Sequence, residues 1–130
     1  MANGQTFRLD LSKWASATQE KLDALVRQTC QEMAERVVRD TPVDTGFLRG
    51  SWQPSIGSPS EGTGPGVGAV SVVASQMEAG QRFFMINNAS YARYVEYGTS
   101  RMAPRYFVRD NVGRFQSIAE KYARQLKVKP

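Results

Sequence analysis

Two groups of side chains in this 130-residue chain have types and spacings that could support catalysis. Glu32 and Glu35 lie three residues apart, as paired carboxylates for acid–base catalysis could. However, Arg36 and Arg39 follow them, and this favours a solvated ion-pair face on a helix. The single thiol, Cys30, lies near the edge of an apolar helical stripe, so we expect a small buried hydrophobe rather than a reactive nucleophile.

A third group could bind nucleic acid, because Tyr91, Tyr94 and Tyr97 interleave with Arg93 and Arg101. Tyrosines spaced three apart on a short helix are more typical of packing against a sheet or a neighbouring subunit, and we favour that interpretation.

The glycine-rich stretch 57–68 lacks both the Gly-x-Gly-x-x-Gly order and a Gly-Lys-Ser/Thr sequence, so it does not predict a phosphate-binding loop. We interpret it as a flexible loop that orders against a partner. The residues that we expect to contact a partner are Gly62, Gly64, Pro65, Gly66, Arg101 and Arg105.

The composition excludes several kinds of site. With no histidine and one cysteine, the chain has no Ser-His-Asp or Cys-His pair, no His-bearing or tetracysteine zinc site and no intrachain disulfide. We therefore expect neither an enzyme nor a bound cofactor or metal. Apolar runs are too short to span a bilayer and the N-terminus lacks the features of a signal peptide, so we expect no membrane association. The single cysteine fits a reducing compartment.

Positive charge is concentrated near the C-terminus. The chain has 17 Lys and Arg against 12 Asp and Glu, a formal charge of +5; residues 101–130 hold eight bases and two acids, +6, which leaves −1 for the remainder. This asymmetry indicates an acidic partner, either protein or nucleic acid, or simply a solvated cationic helix face. A small basic nucleic-acid-binding protein is therefore the alternative interpretation of the chain.

Hydrophobic periodicity predicts a single-domain α+β fold, residues 1–130, in which a small antiparallel sheet packs with a long N-terminal helix and a C-terminal helix. Residues 1–11 are expected to form an N-terminal arm. Ser12 is the expected N-cap of the long helix. The expected elements are helices over 12–40, 69–79 (ended by Gly80), 91–97 and 106–126, and strands over 47–56 and 81–88. The stretch 69–79 is ambiguous, because its Val-Ser-Val-Val could form a strand, and we favour the helix.

The same periodicity predicts which side chains share a face. Leu48, Trp52 and Ile56 should share one face of the first strand, and Pro54 should place that strand at an edge. Apolar residues on both faces predict that the second strand is buried on both sides. The apolar stripe of the last helix should comprise Val108, Val112, Phe115, Ala119, Tyr122 and Leu126.

Two blocks carry a family resemblance. The first runs from Asp40 to Trp52 and contains Pro-Val-Asp-Thr-Gly-Phe-Leu-Arg-Gly-Ser. The second runs from Ile86 to Ser100 and contains Asn-Ala-Ser-Tyr-Ala-Arg-Tyr-Val-Glu-Tyr-Gly, and it is followed by Met-Ala-Pro at 102–104 and the C-terminal helix. In this order they resemble the tail-completion and head–tail joining (neck) proteins of tailed bacteriophages, whose pattern is Pro-x-Asp-Thr-Gly-x-Leu-Arg-x-Ser and then Asn-x-x-Tyr-Ala-x-x-x-Glu-x-Gly.

The resemblance implies a structural virion protein, assembled in the host cytoplasm, that forms a ring, usually sixfold, at the head-proximal end of the tail. Such a ring ends tail-tube growth, or completes the tail so that a DNA-filled head can join it. The implied partners are other copies of the chain, a head–tail connector or stopper protein and the tail tube protein. DNA would pass through the ring without sequence-specific binding.

The motif residues carry over as scaffold positions. Arg49 and Glu96 are the charges that we expect to pair, within the subunit or across a boundary. The basic C-terminal segment should face outward or meet an acidic protein surface, because phosphate contacts inside a ring would slow the passage of DNA. The scaffold positions are Asp44, Thr45, Gly46, Leu48, Arg49, Ser51, Asn88, Tyr91, Ala92, Glu96 and Gly98.

Overall fold

The structure, a computed structural model, describes residues 11–41, 47–60, 66–87, 89, 92 and 107–128. These residues form a mixed helix and strand fold in a single domain, as the sequence predicted. The helices are α1 (Gln19–Asp40), α2 (Phe47–Gly50), α3 (Val70–Ala74), α4 (Phe107–Val112) and α5 (Phe115–Gln125). The strands are β1 (Trp52–Ile56) and β2 (Phe83–Asn87), and 3-10 turns cover Ser12–Trp14 and Val67–Ala69.

The long helix α1 begins later than predicted. The Thr18 hydroxyl accepts a hydrogen bond from the Lys21 backbone N–H at 3.2 Å, so Thr18 is the N-cap, and the prediction of Ser12 was wrong. Ser12 instead starts a 3-10 turn whose Trp14 side chain is buried. The chain turns before α1 because this buries Trp14 against α5.

Among the described residues, three buried clusters lie along α1, so this one helix organises that part of the core. Near its N-terminus Leu25 packs with Trp14, Ala119, Ala123 and Val128. The middle cluster joins Val26 and Cys30 to Ala74 and Met77, and the third joins Val37 to Leu48 and Trp52. Cys30 is a buried thiol, as the sequence indicated.

The sheet consists of β1 and β2 in antiparallel pairing, with Trp52 opposite Asn87 and Ile56 opposite Phe83. Trp52 and Ile56 share the face that packs toward α1, as predicted. The strand does not extend back to Phe47, however, because residues 47–50 form the helical turn α2. On β2, Phe83 and Met85 pack on the core, and Ile86, on the other face, is also buried.

The helix predicted over 69–79 is shorter, because α3 covers only Val70–Ala74 and directly follows the 3-10 turn Val67–Ala69. Gly68, which was predicted to lie in the loop, is therefore part of that turn. Since α3 ends at Ala74, Gly80 does not end the helix as predicted. It lies in the turn before β2 with φ of 94°, a left-handed conformation that glycine adopts without strain.

The C-terminal segment also differs from its prediction. The expected single helix is divided at Gly113 and Arg114 into α4 and α5. The buried side of α5 comprises Ile118, Ala119 and Ala123, whereas Phe115 and Tyr122 are only half-buried. Ala119 and Ala123 pack against Leu25 and Trp14, and Tyr122 and Leu126 pack at the margin of this cluster.

Candidate functional site

The described residues of the two motif blocks meet at one junction beside the C-terminal end of α1. Asn87, which ends β2, donates from Nδ2 to the Leu48 carbonyl at 2.7 Å. Its Oδ1 accepts from the Ala89 backbone N–H at 3.0 Å, and Ala89 and Ala92 pack against the Val37–Leu48–Trp52 cluster. The first block and the start of the second are therefore held together by one amide side chain and a shared apolar cluster.

Thr41 is the polar centre of this junction and is fully buried. Its hydroxyl donates to the Val37 carbonyl at 2.6 Å and accepts from the Trp52 indole N–H at 2.9 Å. The Thr41 backbone N–H also donates to the carbonyls of Val37 and Val38. Thr41 thus satisfies carbonyls that the last turn of a helix would otherwise leave without donors.

Arg49 completes the capping of α1. Its Nη2 donates to the Arg39 carbonyl at 2.7 Å and to the Thr41 carbonyl at 2.9 Å, and its Nε donates to the Thr41 carbonyl at 3.3 Å. A cation at this position also faces the negative end of the helix dipole. The guanidinium therefore ties α2 back to α1 across the 42–46 connection.

Asn111, on α4, also contacts this end of α1. This buried amide donates from Nδ2 to an Asp40 carboxylate oxygen at 2.9 Å and to the Arg36 carbonyl at 3.5 Å. The Asp40 carboxylate also accepts from the Arg39 Nε at 3.1 Å. Hydrogen bonds from Arg39 and then Asn111 lower the pKa of Asp40.

Farther along α1, Glu32 links this helix to α5. Its carboxylate accepts from the Tyr122 hydroxyl at 2.6 Å, from the Arg36 Nε at 3.0 Å and from the Lys121 ammonium. Burial raises the pKa of Glu32, but these hydrogen bonds outweigh it and lower the pKa to about 2. Burial and the Glu32 contact raise the pKa of Tyr122 to about 12. The Glu32–Arg36 pair is therefore part of a tertiary link and not the solvated face that the sequence suggested.

Gly66 packs against its own chain beside β1. Its backbone N–H donates to the Gly50 carbonyl at 2.9 Å, and a Cβ at this position would lie 2.6 Å from the Trp52 carbonyl oxygen. The close approach requires glycine. A partner contact at Gly66 stays a prediction.

A shallow cleft of about 320 Å³ lies next to the junction, between α1 and α3. Its lining combines an apolar floor with charged side chains at the rim. These residues are Val38, Val67 and Val70, with Ser71, Glu35, Arg39 and Arg49 around them.

Of the motif residues, the structure brings Leu48, Arg49 and Ala92 to the junction, and Ser51 is buried beside it. Glu96, and with it the Arg49–Glu96 pair, lies outside the described residues. So do the other predicted positions Asp44, Thr45, Gly46, Gly62, Gly64, Pro65, Asn88, Tyr91, Gly98, Arg101 and Arg105.

Sequence reasoning missed Thr41, Asn87 and Asn111, which are isolated polar residues with no periodic signal. The available signal was positional: Thr41 precedes Pro42 at a helix end, and Asn87 ends a strand.

Within the described ranges no cluster of three or more His, Cys, Asp or Glu could hold a metal ion. No helix in that part of the chain is both long and apolar enough to cross a membrane.

A comparison with protein families matches residues 5–98 to the family described as "Bacteriophage HK97-gp10, putative tail-component". No curated protein and no solved structure matches the chain significantly. The matched range contains α1, both motif blocks and the junction between them. The chain belongs to the HK97 gp10-like family of bacteriophage tail components.

Proposed function

We propose that this tail component is a structural subunit that forms a ring, sixfold in the resembling proteins, at the head-proximal end of the tail. There it completes or terminates the tail and joins it to the head. The observation that carries the proposal is the order of the two motif blocks within the family-matched range. The junction supports a scaffold role for them, because Leu48, Arg49 and Asn87 form bonds within the subunit.

The proposed partners are further copies of the chain, a connector or stopper protein on the head side and the tail tube protein. DNA passes through the ring without sequence-specific contacts. The role proposed is assembly and not catalysis, and it requires no cofactor.

Electron microscopy of lysates from the parent phage lacking this gene tests the proposal. We expect filled heads beside unattached tails, and restoration of virions when the wild-type gene is supplied from a plasmid. Overlong tails would identify a terminator, and tails of normal length a joining or completion subunit. Normal, infectious particles in the absence of the gene would overturn the proposal.

A small basic nucleic-acid-binding protein is the second candidate, because exposed arginines lie on the C-terminal helix. A gel-shift titration with random duplex DNA across salt concentrations separates the two functions. The second candidate predicts tight binding that weakens steeply with salt, and the ring predicts little binding at any salt.

A further inference from the structure

One largely exposed side of α5 is positively charged, and it borders α1 where Lys121 contacts Glu32. Residues three or four positions apart share a helix face, and Arg114, Ser117, Lys121 and Arg124 follow this spacing opposite the buried Ala119 and Ala123. We call these four residues the basic face. At a rise of about 1.5 Å per residue, it is about 15 Å long.

Of the three positive charges on the basic face, one is paired within the subunit and two can contact another molecule. Lys121 is bound by Glu32, whose side chain is only 15% exposed. Arg114 and Arg124 are exposed, and neither forms an ion pair within the described part of the chain. Arg114 and Arg124 are thus about 15 Å apart along the helix axis, both with exposed side chains, and Lys121 lies between them along the chain.

A further lysine lies just past the end of the basic face. Lys127 has φ of 56°, and the Val128 N–H donates to the Ala123 carbonyl at 2.8 Å, a helix ending that usually places glycine at this position. A non-glycine residue in this conformation costs about 1 kcal/mol. The chain therefore holds a positive charge at a position where the backbone favours glycine.

We propose that the basic face is the docking surface for an acidic surface of another tail protein. This inference rests on the function proposed above. Carboxylates beside the basic face favour a protein partner over DNA. The Glu120 side chain is 39% exposed and pairs with Lys13 at 2.6 Å, and it lies one helical turn from Arg124. Asp110 is exposed near Arg114. A phosphate backbone would meet these carboxylates, whereas a protein can place its acids opposite the arginines alone.

Two charge-matched variants test the proposal. Arg114→Gln with Arg124→Gln alters the basic face, and Lys21→Gln with Arg82→Gln removes two exposed charges elsewhere. Each removes two positive charges, taking the formal charge from +5 to +3. The probe is tails purified from a lysate of the parent phage lacking this gene, and binding is measured by co-sedimentation between about 0.05 M and about 0.3 M salt. Thermal unfolding verifies that both variants fold.

We expect the basic-face variant to bind tails about tenfold more weakly than wild type, the control to bind normally, and wild-type binding to fall with salt. Equal binding by wild type and both variants would overturn the inference and leave the proposed function standing. Failure of wild-type protein to bind tails would overturn both. Loss of duplex DNA binding in the basic-face variant, with tail binding unchanged, would assign the face to nucleic acid instead.

Discussion

Replacing Arg49 with methionine tests whether the capping of α1 stabilises the fold. Methionine keeps much of the apolar stem but removes every donor to the carbonyls of Arg39 and Thr41. Hydrogen bonds from a charged donor contribute about 1.5–3 kcal/mol. Because Arg49 is half-buried and its guanidinium is already partly hydrated in the folded protein, we expect a loss of about 2 kcal/mol, toward the lower end of that range.

For a chain of this length, an unfolding entropy of about 2.1 cal/mol/K per residue converts that loss into a Tm lower by about 7 °C. Circular dichroism at the helix band during heating measures it. Arg82→Met, at an exposed site, is the control and should change the free energy of unfolding by less than about 0.5 kcal/mol. Arg49→Lys keeps the charge but loses the planar fork, so its Tm should fall between those of Arg49→Met and wild type. If Arg49→Met has the same Tm as the control, the guanidinium does not stabilise the end of α1 and the reasoning is wrong.

Four further outcomes are expected. Lys127→Gly should raise the free energy of unfolding by about 1 kcal/mol in urea titrations, whereas Lys127→Ala should give no such gain. The pKa of Glu32 is lowered to about 2 from an ordinary 4.5, so its contribution is present above pH 4.5 and is lost as pH falls toward 2; Glu32→Gln should flatten that part of the stability–pH curve. Burial raises the pKa of Cys30 to about 12, so iodoacetamide at pH 8 should alkylate this thiol at least about a hundredfold more slowly in the folded protein than in the urea-unfolded chain. Equal alkylation rates would contradict the burial of Cys30. A double-mutant cycle on ring assembly should show coupling of about 0.5 kcal/mol or more between Arg49 and Glu96. Additive effects of the two substitutions would show that these residues do not pair.

The elements that the sequence predicted well are those whose pattern records burial against the rest of the chain. The apolar stripe of α1 and the position of β2 follow from spacings of three to four and of two, and the structure confirms both. The ends of elements were predicted poorly. Burial of Trp14 ahead of Thr18 sets the start of α1, and neither periodicity nor capping preference contains that tertiary contact.

The site shows the same limit. The motif identified Arg49 as a scaffold residue, but only the structure shows that it reaches back eight residues to the carbonyl of Thr41. Asn87 contacts a carbonyl 39 residues away, and no local pattern encodes a partner at that distance. A short motif thus indicates where backbone geometry is constrained, and the folded chain shows what constrains it.

The segment between Gly57 and Gly66 is fastened at both ends. The Gly57 N–H donates to the Arg82 carbonyl at 2.9 Å, and the Gly66 N–H donates to the Gly50 carbonyl at 2.9 Å. Chain added between these two points leaves the pairing of β1 with β2 unchanged, and each doubling of loop length costs only about 0.6 kcal/mol in closure entropy. A peptide inserted between these two points should therefore leave the subunit folded, and loss of such a subunit from assembled particles would report the partner contacts expected at Gly62, Gly64 and Pro65.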